Sequence, residues 1–243
     1  MGDFRLQKSI LQKSIPALAF IVCLACAPKV ARAEDCILDR CADKAAPQPS
    51  RPSAAPSGDF DFYVLALSWS PGFCEQSRSG SKQCEPGGNL GFVVHGLWPQ
   101  YEHGFPSDCG GPATVSRIAL ERARGVYPDE GLARYEWRKH GTCTGLSPGD
   151  YFDAAARARN AVTIPDLFTK ASADQTLSTQ AIEQAFRDAN PRLRPGMMGV
   201  GCRRDTLEDV RICFAKDLSS FRACPEVARG GCRVRAIRAP APY

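Results

Sequence analysis

Ten cysteines, at positions 36, 41, 74, 84, 109, 143, 202, 213, 224 and 232, are spread over the chain beyond residue 33. On an exported chain an even set of cysteines reads as a disulfide framework, and crosslinks spread this widely admit only folds that bring distant segments together in pairs. No close pair among them has zinc-ligand spacing, and a free catalytic cysteine is not expected in such a set.

Export is read from the first 33 residues. Arg5, Lys8 and Lys13 form a basic n-region, residues 15–27 (IPALAFIVCLACA) an apolar h-region, and Ala31-Arg32-Ala33 a small-residue cleavage signal. The apolar run of about 13 residues falls short of the roughly 20 needed to span a bilayer. Cys26 admits a lipoprotein reading, but CLAC is a poor lipobox. Cleavage after Ala33 leaves a mature chain of 210 residues, in the periplasm or the medium, with no second run long enough to cross a membrane. It removes Cys23, Cys26, five cations and one anion, lowering the net charge from +5 to +1. Global charge therefore neither requires nor excludes a nucleic-acid partner, and an anionic substrate would need a local cation cluster. A chain of this size suits one domain burying about 70% of its unfolded surface, and a monomer is expected.

Residues 34–58 hold EDCILDRC, where Cys36 and Cys41 can close a small loop, and then an Ala/Pro/Ser-rich linker without apolar period. The domain spans 59–243. FDFYVLALSW (60–69) reads as a buried strand ended by Ser70-Pro71-Gly72, and GFVVHGLWP (91–99) as a second one stopped by Pro99. Cys74 and Cys84 flank a polar Gly/Ser loop and are expected to pair. Helices are expected over 114–124, over 132–140 with Gly141 at the end, over 149–160, and over 179–189 between a Ser178 or Thr179 cap and an Asn190-Pro191 stop. MMGVGC, LEDVRICFA and CRVRAIRA are late strand candidates. Strands and helices do not alternate regularly, so an α+β fold is expected rather than a doubly wound sheet.

The chain has three histidines. His95, near the end of the second strand, reads either as a core histidine with one hydrogen bond or as a site residue. Gly96 beside it lets other groups approach the backbone, and Trp98 before Pro99 puts a large flat ring at the strand's exit. His103, in Tyr101-Glu102-His103-Gly104, reads as a loop residue. The third lies in YEWRKHGTC (135–143). On a helix Glu136, Lys139 and His140 stand at i, i+3 and i+4 and share a face, with Trp137 turned elsewhere as an anchor. That face alone reads equally as a solvated, salt-bridged turn. A bond between Cys143 and Cys109 would tie it to the loop leaving the first histidine segment. Two histidines can take and give one proton each, worth roughly 10²–10⁴ in rate per transfer, and a lysine beside them can stabilise charge on phosphoryl oxygens. RNA carries its own nucleophile in the 2′-hydroxyl, so such a site needs no metal, cofactor or protein nucleophile.

FVVHGLWPQ and YEWRKHGTC, in that order, resemble the two active-site segments of the ribonuclease T2 family, and LALSWSPGFC resembles its first core strand with the following cysteine. The resemblance runs from about Asp59 to the C-terminus. It implies a central antiparallel sheet with helices packed on it, stapled by disulfides, and a metal-independent endoribonuclease acting on single-stranded RNA through 2′,3′-cyclic phosphate ends. Position by position, His95 matches the acid that protonates the leaving 5′-oxygen and His140 the base that takes the 2′-hydroxyl proton, although the residues alone permit the reverse. Lys139 and Glu136 match the pair that stabilises the pentacovalent phosphate, and Trp98 a tryptophan that stacks on a base. Cys109 and Cys143 match a shared disulfide, and Cys202–Cys232 enclosing Cys213–Cys224 resembles a nested pair. Two positions depart from the pattern. Tyr135 stands where members commonly carry a phosphate-holding histidine; it can donate a hydrogen bond but carries no positive charge at neutral pH. Gln100 stands where many have an acid that helps to read the base, and its donor and acceptor fit low base specificity. The competing readings are an inactive member that binds RNA or protein, against which the intact His95, Glu136, Lys139 and His140 argue, and a metal-dependent phosphodiesterase, for which histidines and clustered carboxylates are too few.

Overall fold

The computed structural model describes residues 57–77 and 81–242. The expected signal peptide, nearly all of the linker and the Cys36–Cys41 loop lie outside the described residues. In chain order the elements are β1 (Phe62–Trp69), α1 (Ser70–Gln76), β2 (Phe92–Gln100), α2 (Arg117–Ala123), α3 (Glu130–Lys139), α4 (Pro148–Asn160), α5 (Asp166–Thr169), β3 (Gln175–Leu177), α6 (Thr179–Ala189), β4 (Met198–Arg203), β5 (Thr206–Ala215), α7 (Pro225–Arg229) and β6 (Ile237–Ala239). The strands form one sheet in the order β2-β1-β5-β6-β3, with β4 also paired to β5. All pairings are antiparallel except a single parallel bridge, Thr206 to Arg238, between β5 and β6. The α+β architecture is the expected one.

Alternation along the strands sorts the sheet into two faces. Tyr63, Leu65, Leu67 and Trp69 of β1 enter the main core with Leu120 of α2, Trp137 of α3, Phe152 of α4 and Phe186 of α6. Phe62 and Val64 point the other way, against Cys213, Cys224, Trp98 and Val227. Val227 comes from α7, and Ser68, Asp209 and Arg211 alternate onto the same face.

Local signals were overridden at three points. Ser70-Pro71-Gly72 does not end β1 in a turn but opens α1, with Pro71 in the first turn, where its missing N–H costs nothing. Gly72 then lies against the Leu207 carbonyl, where any Cβ would collide. Pro99 does not stop β2, which runs on to Gln100; β2 is the sheet edge, so no ladder partner is lost. Gly141 is no left-handed cap: α3 runs into a 3-10 turn at Gly141–Cys143, and a Cβ at Gly141 would enter the rings of Trp137 and Tyr151. α3 also starts two residues early, because the Asp129 carboxylate accepts from Leu132 N–H. Of CRVRAIRA only Ile237–Ala239 pairs, and α5, β3 and α7 are short elements without a strong sequence signal.

Four disulfides join Cys74 to Cys84, Cys109 to Cys143, Cys202 to Cys232 and Cys213 to Cys224, as expected. No helix among the described residues is long and apolar enough to cross a membrane.

Candidate active site

The site begins at a break in strand register. Ala66 of β1 pairs with Gly96 and Leu67 with Val94, so His95 is the extra residue of a bulge in β2. The bulge lets Val94 and Leu97, three apart, both enter the core while it re-aims the residue between them. The His95 ring lies with Nδ1 3.0 Å from Ser68 Oγ and Nε2 3.5 Å from Glu136 Oε1.

Glu136 comes from the last turns of α3 and is 0% exposed. Its Oε2 accepts a 2.8 Å hydrogen bond from Trp98 Nε1. A side chain at Gly96 would occupy the space of this carboxyl and of the indole nitrogen; the expected close approach at Gly96 is that of Glu136. The Trp98 indole packs against both histidines. Its centroid is 5.5 Å from the His95 ring, edge to face, and 5.4 Å from the His140 ring at an interplanar angle of 31°. His140 caps the C-terminus of α3. Lys139 turns to the rim, where Nζ donates to Asp108 Oδ2 at 2.5 Å while Asp108 N–H donates to the Lys139 carbonyl at 3.0 Å. The Cys109–Cys143 bond, adjacent to both, clamps this loop to the end of α3.

Two cavities flank the histidines. One, of about 350 Å³, is lined by Trp98, Gln100, Phe105, Lys139, His140 and Arg211, among others. The second, of about 740 Å³, is an open groove lined by Ser68, His95, Asp129, Glu130 and Tyr135 among others. Tyr135 is 47% exposed there, on the His95 side, and Gln100 lies on the His140 side with its Nε2 donating to the Pro99 carbonyl. The helical-face expectation thus resolves into three directions: Glu136 inward to Trp98, His140 beside the same indole, Lys139 to the rim. His103 is exposed in the turn after β2 and joins none of these contacts.

Burial sets the protonation of the site. It pulls His95 below its ordinary 6.5, with Asp209 opposing and Arg211 assisting. It pushes His140 down to about 4, with Lys139 and His95 adding and Asp108 opposing. It pushes Glu136 up to about 8 against the Trp98 hydrogen bond. Their mutual hydrogen bond raises Lys139 and lowers Asp108. Burial thus favours the neutral forms of both imidazoles and of the carboxyl, and an anion placed among them would favour the charged imidazoles.

Ser68, Asp108, Asp209 and Arg211 were not singled out from the sequence. Ser68 is the lone serine in the apolar run FYVLALSW, and Asp209 and Arg211 are the off-phase charges of LEDVRICF; each lies on the face turned away from the core. Among the described residues, no three His, Cys, Asp or Glu side chains are grouped to hold a metal ion.

Residues 60–224 match the sequence model of the Ribonuclease T2 family. The chain is 38% identical over 174 residues to a ribonuclease of Aeromonas hydrophila, an alignment covering 70% of this chain and 79% of that protein. It is 28% identical over 230 residues to ribonuclease I of Escherichia coli, covering 72% and 84%. Among solved structures, ribonuclease MC1 from the seeds of bitter gourd superposes with a TM-score of 0.56 at 27% identity, over 68% of this chain and 94% of that one. A mutant of that ribonuclease has been solved in complex with 5′-UMP.

Proposed function

The chain belongs to the ribonuclease T2 family, and from that footing we propose that it is an exported, monomeric endoribonuclease that cuts single-stranded RNA by 2′-hydroxyl transphosphorylation. The products are a 2′,3′-cyclic phosphate, open to hydrolysis to a 3′-phosphate, and a free 5′-hydroxyl. The observation that carries this reading is the pair of imidazoles that both pack on the Trp98 indole, each opening to its own cavity. Two proton-transfer groups placed so can serve the attacking and the leaving oxygen of one phosphorus.

His140, held down to about 4, is neutral over the working range and takes the 2′-hydroxyl proton. The oxygen attacks phosphorus, and the bond to the 5′-oxygen breaks as His95 delivers its proton there. The incoming phosphate favours that protonated imidazole, and Ser68 Oγ holds the ring in place. Lys139 and the Glu136 carboxyl donate to the equatorial oxygens of the pentacovalent phosphate. The nucleoside bearing the attacking hydroxyl lies in the cavity beside His140, against Trp98, Phe105 and Gln100. Its successor lies in the groove beside His95 and Tyr135. Stacking contributes roughly 1–3 kcal/mol per base and is tolerant of ring identity, so cleavage is open after every base. A single strand is required because the attacking and leaving oxygens must align across phosphorus.

The test is digestion of single-stranded RNA in EDTA with analysis of the new ends. Cyclic-phosphate ends are expected from the wild type, and none from His95→Ala or His140→Ala. Dependence on added metal would overturn the mechanism. RNA binding without cleavage by the wild type would favour an inactive binding protein.

A further inference from the structure

The cavity beside His140 contains one cation that the mechanism leaves unused, Arg211. It stands on β5 opposite Ala66, on the sheet face turned away from the main core. Its guanidinium is anchored. Nε and Nη2 both donate to Asp209 Oδ2, at 3.3 and 2.9 Å, and Asp209 is 5% exposed. Gly201, paired with Asp209 across β4, leaves room for that carboxylate; a Cβ there would displace it. The guanidinium carbon lies 5.6 Å from the centroid of the Trp98 ring. A planar group held at its Nε/Nη2 edge keeps its Nη1/Nη2 edge as a free pair of parallel donors.

We infer that Arg211 is a specificity residue that favours guanine as the base on the 2′-hydroxyl side of the cut; the inference rests on the RNA cleavage proposed above. Val64, Val227, Phe105 and Trp98 make the walls of this cavity apolar, which suits a flat base better than a hydrated phosphate. Two parallel donors meet the O6 and N7 acceptors of guanine. Adenine presents an amino donor in place of O6, so one guanidinium N–H would face another donor. Gln100 supplies the complement. Its Nε2 is engaged by the Pro99 carbonyl, which leaves Oε1 to accept from guanine N1–H or the 2-amino group. Uracil offers one acceptor at the O4 position and cytosine a donor, so neither fills the fork. The effect is a bias among four accepted bases, not an exclusion.

The test compares kcat/KM for GpA, ApA, UpA and CpA in the wild type and in Arg211→Lys. Binding of 3′-GMP and 3′-AMP, followed by tryptophan fluorescence, is measured alongside. The lysine keeps a charge beside Asp209 but lacks the fork, so the variant is expected to fold. The wild type is expected to favour GpA over ApA by about tenfold or more, and to bind 3′-GMP more tightly to a similar degree. In Arg211→Lys the ratio should collapse to about threefold or less with ApA little changed. Equal rates and affinities for guanine and adenine in the wild type would overturn the inference while leaving the ribonuclease reading intact. So would an equal loss on all four substrates in the variant, which would make Arg211 a phosphate ligand. Preferential binding of 3′-GMP without any cleavage would overturn the ribonuclease reading and keep the guanine pocket.

Discussion

Glu136→Gln is expected to make the protein more stable and less active, and the pH dependence of the first effect identifies its cause. The Glu136 carboxyl is fully buried, and burial raises its pKa from 4.5 to about 8. A tenfold change in proton affinity corresponds to about 1.4 kcal/mol between the two protonation states. The folded protein binds this proton more tightly than the unfolded chain, so stability is lost as pH rises from about 4.5 towards 8. Integrated to pH 7, the cost is about 3 kcal/mol. Glutamine cannot ionise. Its carbonyl oxygen can accept from Trp98 Nε1 in place of Oε2, and its amide can donate towards His95 Nε2, which lies 3.5 Å from Oε1.

For a domain of this size each kcal/mol moves Tm by about 2–4 °C. Thermal unfolding of the ligand-free variant at pH 7 should therefore lie about 6–12 °C above the wild type, and at pH 4 the two should coincide. Removing the acid side chain from the phosphate should cost about 10²-fold in kcat/KM. A Tm difference equal at the two pH values would mean that the substitution acts through packing rather than charge. No stabilisation at pH 7 would refute the buried-acid argument altogether.

Two further outcomes follow from the same site. The pH profile of kcat/KM should rise through about 4 as His140 loses its proton and fall through a pKa below 6.5 as His95 loses the proton it must deliver, giving an acidic optimum; an optimum above pH 8 would refute the pairing of base and acid. Gly96→Ala should lower kcat/KM about a hundredfold, because the methyl group takes the place of the Glu136 carboxyl and the Trp98 nitrogen, and it should destabilise the fold by about 1–3 kcal/mol; a variant with wild-type turnover would show that the Glu136–Trp98 contact does not matter.

What could be read from the sequence was whatever depends on residue type at short spacing. The i, i+3, i+4 spacing in YEWRKH placed Glu136 and His140 near one another, and the Ser178 cap with the Asn190-Pro191 stop located α6. The bulge at His95 was also within reach, since Val94 and Leu97 cannot both enter the core of an unbroken strand. The errors arose where a distant segment decides. Proline and glycine after β1 spell a turn by local chemistry, yet β5 lies where it accepts Gly72 and makes the segment a helix. Gly141 carries the mark of a helix cap, yet its function is to admit Trp137 and Tyr151.

Charge was the least legible property, because the ionisation of a side chain depends on what covers it. On a helical wheel Glu136 and Lys139 form an ordinary solvated pair. In the fold they part: Lys139 finds Asp108, a partner brought to it across the Cys109–Cys143 bond, and Glu136 is left without a cation in the interior. A buried acid without a cation is costly. A phosphate must be held by hydrogen-bond donors, and a protonated carboxyl is a donor where a carboxylate is not. In the mechanism proposed above, the same burial that costs stability at neutral pH is what lets Glu136 donate to the substrate, so the two effects would have one physical origin.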